Sequence, residues 1–107
     1  MTKKEKYEQQ LKAYLPAGFE SMVADLLLSH PVRFAITNPR STKLGDYRAP
    51  IQGETFHRIS VNGNLNQYEF LITLLHELGH LLCYEQYRNR VDAHGKEWKY
   101  LYGLLLA

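Results

Sequence analysis

Two histidines and a glutamate interrupt the leucine-rich stretch TLLHELGHLL, residues 73–82. His76 and His80 are four residues apart, so on a helix they project from one face, about 6 Å apart along the axis. This spacing lets two imidazole nitrogens reach one metal ion at about 2.0–2.1 Å. Glu77 is rotated by about 100° from His76, close enough to approach a metal-bound water without being a ligand. The pattern is the H-E-x-x-H motif, whose chemistry is zinc-assisted hydrolysis with the glutamate as general base.

The third metal ligand must come from another part of the chain, because a catalytic zinc ion usually has three protein ligands and one open position. His94 is the first candidate, since it stands at the start of the last predicted helix, where the chain can return to the motif. Gly95 beside it would allow a close backbone approach. Three alternatives remain: Glu97, since a helical glutamate can be a ligand; Cys83, more typical of a small core residue; and Asp92, more typical of a loop.

The other two histidines have ordinary structural explanations. His30 precedes Pro31 at the end of a predicted helix, where an imidazole can meet free carbonyl groups. His57 lies in a predicted strand, and we expect it to be exposed. Neither residue is a candidate ligand.

The motif requires a long helix to carry it. Asn66 can cap this helix with Glu69 at the third helical position, and the helix is predicted to run over residues 66–87. After the polar connection RNRVDAHG, the segment KEWKYLYGLLLA predicts a last helix within residues 94–106. Its expected inward side chains are Trp98, Leu101, Leu104 and Leu105.

Two further helices are predicted within residues 1–30. Thr2 and Glu5 form a capping-box pattern for the first, which Pro16 and Gly18 should end. Its apolar stripe contains Tyr7, Leu11, Tyr14 and Leu15. The second helix is expected from about residue 17 to 29, with Phe19, Met22, Val23, Leu26 and Leu27 facing inward.

The hydrophobic period changes to two in residues 32–61, which predicts a short three-stranded sheet. VRFAIT alternates cleanly, KLGDYRAP is a second strand and FHRISV a third. Phe56 is out of phase with the third strand, which indicates a bulge or an early start. Because helices and strands are segregated along the chain, the predicted class is α+β.

Composition indicates one ordinary globular domain of 107 residues, 45% hydrophobic and 22% charged. No apolar run approaches the roughly 20 residues that span a bilayer, and no apolar segment follows the basic N-terminus, so we expect neither a membrane partner nor a secretory signal. The single cysteine excludes an internal disulfide and favours a reducing cytoplasm. The charge of +2 and pI of about 8.7 do not by themselves indicate nucleic-acid binding.

The segment HELGH, a gap of 13 residues and the segment HGKEW resemble the SprT-like (Spartan-related) zinc metallopeptidase domain family. FAITNPRSTKLGDYR is similar to that family's first two strands, and HRISVNGNL to its third. The likeness covers about residues 32–102. It implies that His76, His80 and His94 bind zinc and that Glu77 is the catalytic base.

The resemblance also implies a small zincin-like fold, with the metal-binding helix packed under a short sheet whose edge takes an extended peptide. Such an edge binds substrate backbone largely independently of sequence. Many SprT-like proteins carry a cysteine-rich zinc ribbon beyond the protease domain. The present residues, with one cysteine, contain no such ribbon.

The sequence therefore predicts a zinc-dependent endopeptidase acting on protein or peptide substrates. Tyr84, Tyr87 and Arg88 are candidate donors to the oxyanion, although a tyrosine here more often packs. One alternative is a DNA-associated module, in which basic side chains form one face: Arg40, Lys43, Arg48, Arg58, Arg88, Arg90, Lys96 and Lys99. Another is a non-catalytic zinc-binding module, which would have no use for Glu77.

Overall fold

The computed structural model describes residues 1–88 and 90–106. These residues form, in order, α1 (Lys3–Leu11), α2 (Glu20–Leu28), β1 (Val32–Thr37), β2 (Gly45–Arg48), β3 (His57–Asn62), α3 (Gln67–Tyr87) and α4 (Lys96–Leu106). Four helices and one three-stranded mixed sheet make a small α+β fold, which confirms the predicted class. None of the described helices combines the length and hydrophobicity needed to cross a bilayer.

β3 is the central strand of the sheet, between β1 and β2. It pairs in parallel with β1 and antiparallel with β2, with Gly45 opposite Val61 and Arg48 opposite Arg58. No other strand in the described part of the chain pairs with β2. β2 is therefore an edge strand whose outer side is free to pair with an extended chain.

One face of the sheet packs on α3. Ile59 and Val61 point to this face and are buried, because side chains alternate along the central strand. His57 is in phase with them and is only 4% exposed. The expectation of an exposed His57 is therefore wrong. Phe56, which is out of phase with the strand pattern, precedes β3, and its ring lies beneath the guanidinium group of Arg33 at 3.8 Å.

The sequence of α3 explains where the helix begins and ends. The Asn66 side chain accepts a hydrogen bond from the Glu69 backbone at 2.9 Å, and the Glu69 carboxylate accepts one from the Asn66 backbone at 3.4 Å. This is the predicted capping box, and the helix ends at Tyr87, also as predicted. Six of its buried apolar side chains make up half of the main core cluster: Phe70, Leu71, Leu74, Leu75, Leu78 and Leu81.

α1 has the predicted start but ends earlier than predicted. Thr2 and Glu5 form the reciprocal capping box, with distances of 3.1 and 3.0 Å. The helix stops at Leu11 rather than near Pro16. The backbone then tightens into a turn, with the Leu15 N–H donating to the Leu11 carbonyl at 3.0 Å, and this turn places Leu15 in the core.

α2 begins at Glu20, later than predicted. Gly18 has a φ of 95°, a left-handed conformation that a right-handed helix cannot contain. Phe19 and Met22 are exposed, against expectation, because only one side of this short helix meets the core. Two of the residues predicted to face inward are fully buried on that side: Val23 and Leu27.

α4 packs closely against α3 at Gly79. A Cβ atom at Gly79 would lie 3.0 Å from Trp98 Nε1 and 3.4 Å from Tyr102 Cβ, so the glycine permits this approach. Trp98 and Leu101 are buried as predicted, but Leu104 is exposed. Leu104 is about 120° around the helix from Trp98, outside the face that meets α3.

Candidate metal centre and active site

The ring nitrogens of three histidines converge beside α3. His94 Nε2 lies 3.0 Å from His76 Nε2 and 2.9 Å from His80 Nε2. The three ligand atoms all lie within 4.8 Å of one another. Within residues 1–88 and 90–106 this is the one group of three or more potential ligands close enough to hold a metal ion. The structure thus brings together the three histidines that the sequence analysis singled out.

These imidazoles cannot satisfy one another by hydrogen bonding alone. A ring nitrogen offers either one N–H or one lone pair in the ring plane. His94 Nε2 can therefore make only one well-directed hydrogen bond, and at least two of the three nitrogens must present the same kind of group. Tetrahedral ligands at about 2.0–2.1 Å from a zinc ion are about 3.3 Å apart, close to the observed separations. The donor set fits a metal ion of the zinc type.

Burial keeps two of the imidazoles neutral. Desolvation lowers the pKa of His76, and the nearby His94 adds to the effect. The pKa of His80 is lowered to about 4, mainly by desolvation and further by the charges that His94 and His76 would carry. Neutral imidazole is the form that binds metal ions, so both rings are in the binding form at neutral pH.

The backbone before α4 aims His94 at the other two rings. His94 has a φ of 59°, a left-handed conformation that costs a non-glycine residue about 1–2 kcal/mol. The next residue, Gly95, donates its backbone N–H to the Asp92 carbonyl at 3.1 Å. A Cβ atom at Gly95 would lie only 3.1 Å from that same oxygen. Local strain at a residue with a chemical role is a common feature of functional sites.

Trp98 supports the cluster, a role that the sequence analysis did not assign. Its ring centroid lies 4.7 Å from that of His76, 5.4 Å from that of His80 and 4.7 Å from that of His94. Its indole N–H donates to the His76 carbonyl at 3.4 Å. Packing against all three rings restricts their orientations. The apolar spacing of α4 identified Trp98 only as an inward residue.

Glu77 is a buried carboxyl group next to this cluster in sequence, and it is 7% exposed. Its pKa is raised to about 7, mainly by desolvation and further by the negative charge of Asp46, although Arg40 and Lys43 oppose the shift. The group can therefore exchange its proton near neutral pH. Glu77 and His76 line the same cavity, of about 280 Å³.

Gly45 lets the edge strand approach Glu77. A Cβ atom at Gly45 would lie 3.0 Å from Glu77 Oε2 and 2.7 Å from Thr73 Cγ2. A larger residue there would force β2 away from α3. The glycine thus lets β2 lie close to the candidate base.

A second group of histidines is linked to the site through Tyr47. The Tyr47 hydroxyl lies 2.7 Å from His57 Nδ1, and His57 Nε2 lies 3.4 Å from Glu85 Oε2. His30 Nδ1 lies 2.9 Å from Glu85 Oε1, so His30 meets a carboxylate rather than the helix carbonyls that we expected. The Tyr47 ring stacks on His80, with centroids 6.3 Å apart. No spacing rule predicts this group, because its partners come from separate elements.

The alternative third ligands lie outside the cluster. Cys83 is buried against Trp98 and Leu101, as expected of a small core residue. Burial raises the pKa of its thiol, and the charge of Glu97 raises it further. Neither Glu97 nor Asp92 belongs to the group that could hold a metal ion.

The candidate oxyanion donors are not equivalent. Tyr84 and Arg88 line a cavity of about 190 Å³ together with His80. Tyr87 instead packs against the small apolar cluster around Trp98. Larger cavities, of about 680 and 640 Å³, lie elsewhere on the surface and do not contain the three histidines.

The fold and the site together define a small α+β protein with a three-histidine cluster that could hold a metal ion. The model of the SprT-like family matches residues 17–103, and the chain belongs to this family. The match confirms the resemblance and extends it toward the N-terminus to include α2. No curated protein and no solved structure matches the chain.

Proposed function

We propose that this protein is a zinc-dependent peptidase that hydrolyses peptide bonds in protein substrates. The observation that carries the proposal is the buried Glu77 carboxyl group, which shares a cavity with His76, one of three histidines whose imidazoles converge. Membership of the SprT-like family supports it. A purely structural metal site would not need a carboxyl group with a pKa of about 7 beside it.

His76, His80 and His94 would hold the zinc ion, since three protein ligands are typical of catalytic zinc sites. When bound, zinc supplies Lewis-acid chemistry, in which it acidifies water and polarises the scissile carbonyl group. The low pKa of His80 keeps that ring available as a ligand down to mildly acidic pH.

Glu77 would act as the general base. Its carboxylate takes a proton from the attacking water, and the resulting carboxylic acid then gives a proton to the departing amine. A pKa near the working pH suits both steps. Burial against β2 holds the group in place and limits its exchange with bulk water.

The free edge of β2 would bind the substrate backbone. The Asn62 N–H donates to the Leu44 carbonyl at 2.8 Å. Backbone groups of alternate residues point to opposite sides of an antiparallel strand, so those of Gly45 and Tyr47 point away from β3. An extended peptide can pair with them by β-augmentation, which requires little sequence specificity.

Replacement of Glu77 by glutamine tests the proposal. We expect the zinc-loaded wild-type protein to cleave denatured casein and the Glu77→Gln variant to be slower by about 10²–10⁴-fold, because general-base catalysis contributes about that much. Metal analysis should find zinc in both proteins. Glu85→Gln is the matched control, since this carboxylate also lies among histidines but outside the cluster, and it should cleave normally.

The same experiment distinguishes a non-catalytic zinc module. Zinc bound to the wild-type protein without cleavage of any unfolded substrate would support that alternative and contradict the peptidase proposal. Cleavage that survives in Glu77→Gln would contradict only the role of Glu77 as general base, and not the peptidase activity.

A second candidate function is contact with nucleic acid through the outer face of the sheet. Four arginines line one cavity of about 330 Å³ there: Arg33, Arg40, Arg48 and Arg58. One guanidinium nitrogen of Arg40, Nη2, is buried with no hydrogen-bond partner among the described residues. Asp46 and Glu54 pair with Arg48 and Arg58 and weaken the positive field. The basic residues 88, 90, 96 and 99 do not line this cavity.

Salt dependence tests this second function. If the face contacts phosphates, the logarithm of the affinity for DNA should fall with the logarithm of salt concentration, with a slope of about −0.9 per phosphate contact. Arg33→Glu should reduce the slope, whereas Arg90→Glu should not. Binding that is absent at low salt would exclude a DNA-contacting role for this face.

A further inference from the structure

Two large apolar side chains remain in water beside the candidate base. Leu44 is 50% exposed and Ile72 is 46% exposed. Single exposed apolar residues are common on protein surfaces. These two, however, come from different elements and line the same cavity as His76 and Glu77. Their position, rather than their exposure alone, indicates a binding role.

The fold leaves this cavity open on the side of β2. Gly45 lines it and contributes no side chain, and any Cβ atom there would collide with Thr73 Cγ2 at 2.7 Å. The chain therefore cannot fill the space from this position with a larger residue. The space is therefore left available to a side chain of a bound molecule.

The size and chemistry of the cavity suit one apolar side chain. Its volume of about 280 Å³ is below the roughly 300–1,000 Å³ of pockets that enclose a whole small ligand. Apart from His76 and Glu77, its lining is uncharged: Leu44, Gly45, Ile72 and Thr73. An apolar side chain placed there would cover Leu44 and Ile72 and remove their surface from water.

The edge strand lines a second cavity as well. This smaller cavity, of about 190 Å³, is lined by Tyr47 and His80, whereas the first is lined by Gly45 and His76. Gly45 and Tyr47 are about 7 Å apart along β2, two residues of an extended chain. A peptide paired with β2 would pass both cavities, the first beside His76 and the second beside His80.

We propose that the cavity formed by Leu44 and Ile72 is a specificity subsite that takes an apolar substrate side chain directly beside the cleaved bond. The inference rests on the proposed peptidase function and narrows its substrate class. The preferred substrates are unfolded segments with an apolar residue on one defined side of the scissile bond.

A charge introduced at Ile72 tests the subsite. Digestion of a synthetic peptide library by the zinc-loaded wild-type protein, followed by mass spectrometry, should show apolar residues enriched at one of the two positions that flank the cut. Ile72→Lys should reduce that preference by about tenfold or more and favour acidic residues there instead. Ile72 is half in water, so the variant should still fold.

Tyr68→Lys is the matched control. Tyr68 lies one turn earlier on α3, is 71% exposed and does not line the cavity, so the same substitution there should leave the cleavage profile unchanged. Cleavage without any apolar preference beside the cut would overturn the subsite and leave the peptidase proposal intact. An unchanged preference in Ile72→Lys would overturn it as well.

A binding measurement separates the subsite from the reaction. The zinc-loaded Glu77→Gln protein should bind a labelled peptide that contains leucine at the preferred position about tenfold more tightly than the same peptide with aspartate, by fluorescence anisotropy. Adding Ile72→Lys should abolish this difference. If the wild-type protein cleaves nothing, a panel of leucine–aspartate peptide pairs still tests the subsite, since equal affinities throughout would overturn it.

Discussion

The molecule contains two groups of histidines, and the structure gives them different surroundings. In the first, the Nε2 atoms of His76 and His80 both lie about 3 Å from His94 Nε2. In the second, the His30 and His57 rings lie on either side of the Glu85 carboxylate, with His57 Nδ1 next to the Tyr47 hydroxyl.

The difference lies in how the ring nitrogens are satisfied. The second group contains a consistent set of donors and acceptors, because Tyr47 can donate to His57 while both imidazoles donate to Glu85. The first group has three nitrogens directed at one another and no carboxylate among them, and a bound cation would resolve that conflict. Convergent imidazoles without an anion indicate a metal site, whereas imidazoles around a carboxylate indicate a hydrogen-bonded network.

Loss of one ring from each group gives the largest expected contrast. We expect about one zinc ion per chain in the wild-type protein and at least about a hundredfold weaker zinc binding in His94→Ala. His30→Ala should keep wild-type affinity, because its imidazole bonds Glu85 instead. Competition with a chromophoric chelator measures both. Equal zinc affinity in the two variants would show that His94 is not a ligand and that the two groups do not differ in this respect.

Replacement of Glu77 and replacement of Glu85 by glutamine should change the free energy of unfolding in opposite directions. The pKa of Glu77 is raised from 4.5 to about 7 by burial. Its contribution to stability is therefore complete below pH 4.5 and is lost as the pH rises through 7. We expect metal-free Glu77→Gln to be more stable than the wild-type protein by about 2–3 kcal/mol at pH 8, with little difference near pH 4.5.

Glu85→Gln should instead lose stability at pH 8, by about 1 kcal/mol, because its neighbours lose a hydrogen-bond acceptor. Urea unfolding in the presence of a chelator, at both pH values, measures each variant against the wild-type protein. If Glu77→Gln is no more stable than the wild-type protein at pH 8, burial does not destabilise the ionised form of Glu77.

The smallest effect is expected at Tyr47, which contacts both groups of histidines. Tyr47→Phe keeps the ring that stacks on His80 and removes the hydroxyl that meets His57. We expect a loss of about 1 kcal/mol in the free energy of unfolding, since the buried His57 nitrogen loses its partner. Zinc affinity should change less than twofold. A large loss of zinc would mean that the hydrogen bond, and not the ring, positions His80.

Sequence patterns predicted the structure correctly where side chains hydrogen-bond to backbone N–H groups of the same segment. The capping boxes of α1 and α3 appear at the predicted residues, because each involves atoms only three residues apart. The end of α1, the start of α2 and the orientation of Leu104 were predicted incorrectly. Those features depend on which face of each helix the rest of the fold covers, and periodicity does not specify that.

The sequence by itself determined the spacing of His76, Glu77 and His80, because one helical turn relates them whatever surrounds the helix. It also determined the family, through the motif and the later HGKEW segment. Only the tertiary structure brought His94 to the other two rings, by a left-handed backbone at that residue and the close approach of α4 at Gly79. It alone buried His57, since that depends on the strand lying in the middle of the sheet. Contacts between distant segments arise from packing, and a local sequence pattern does not specify which distant segment it will contact.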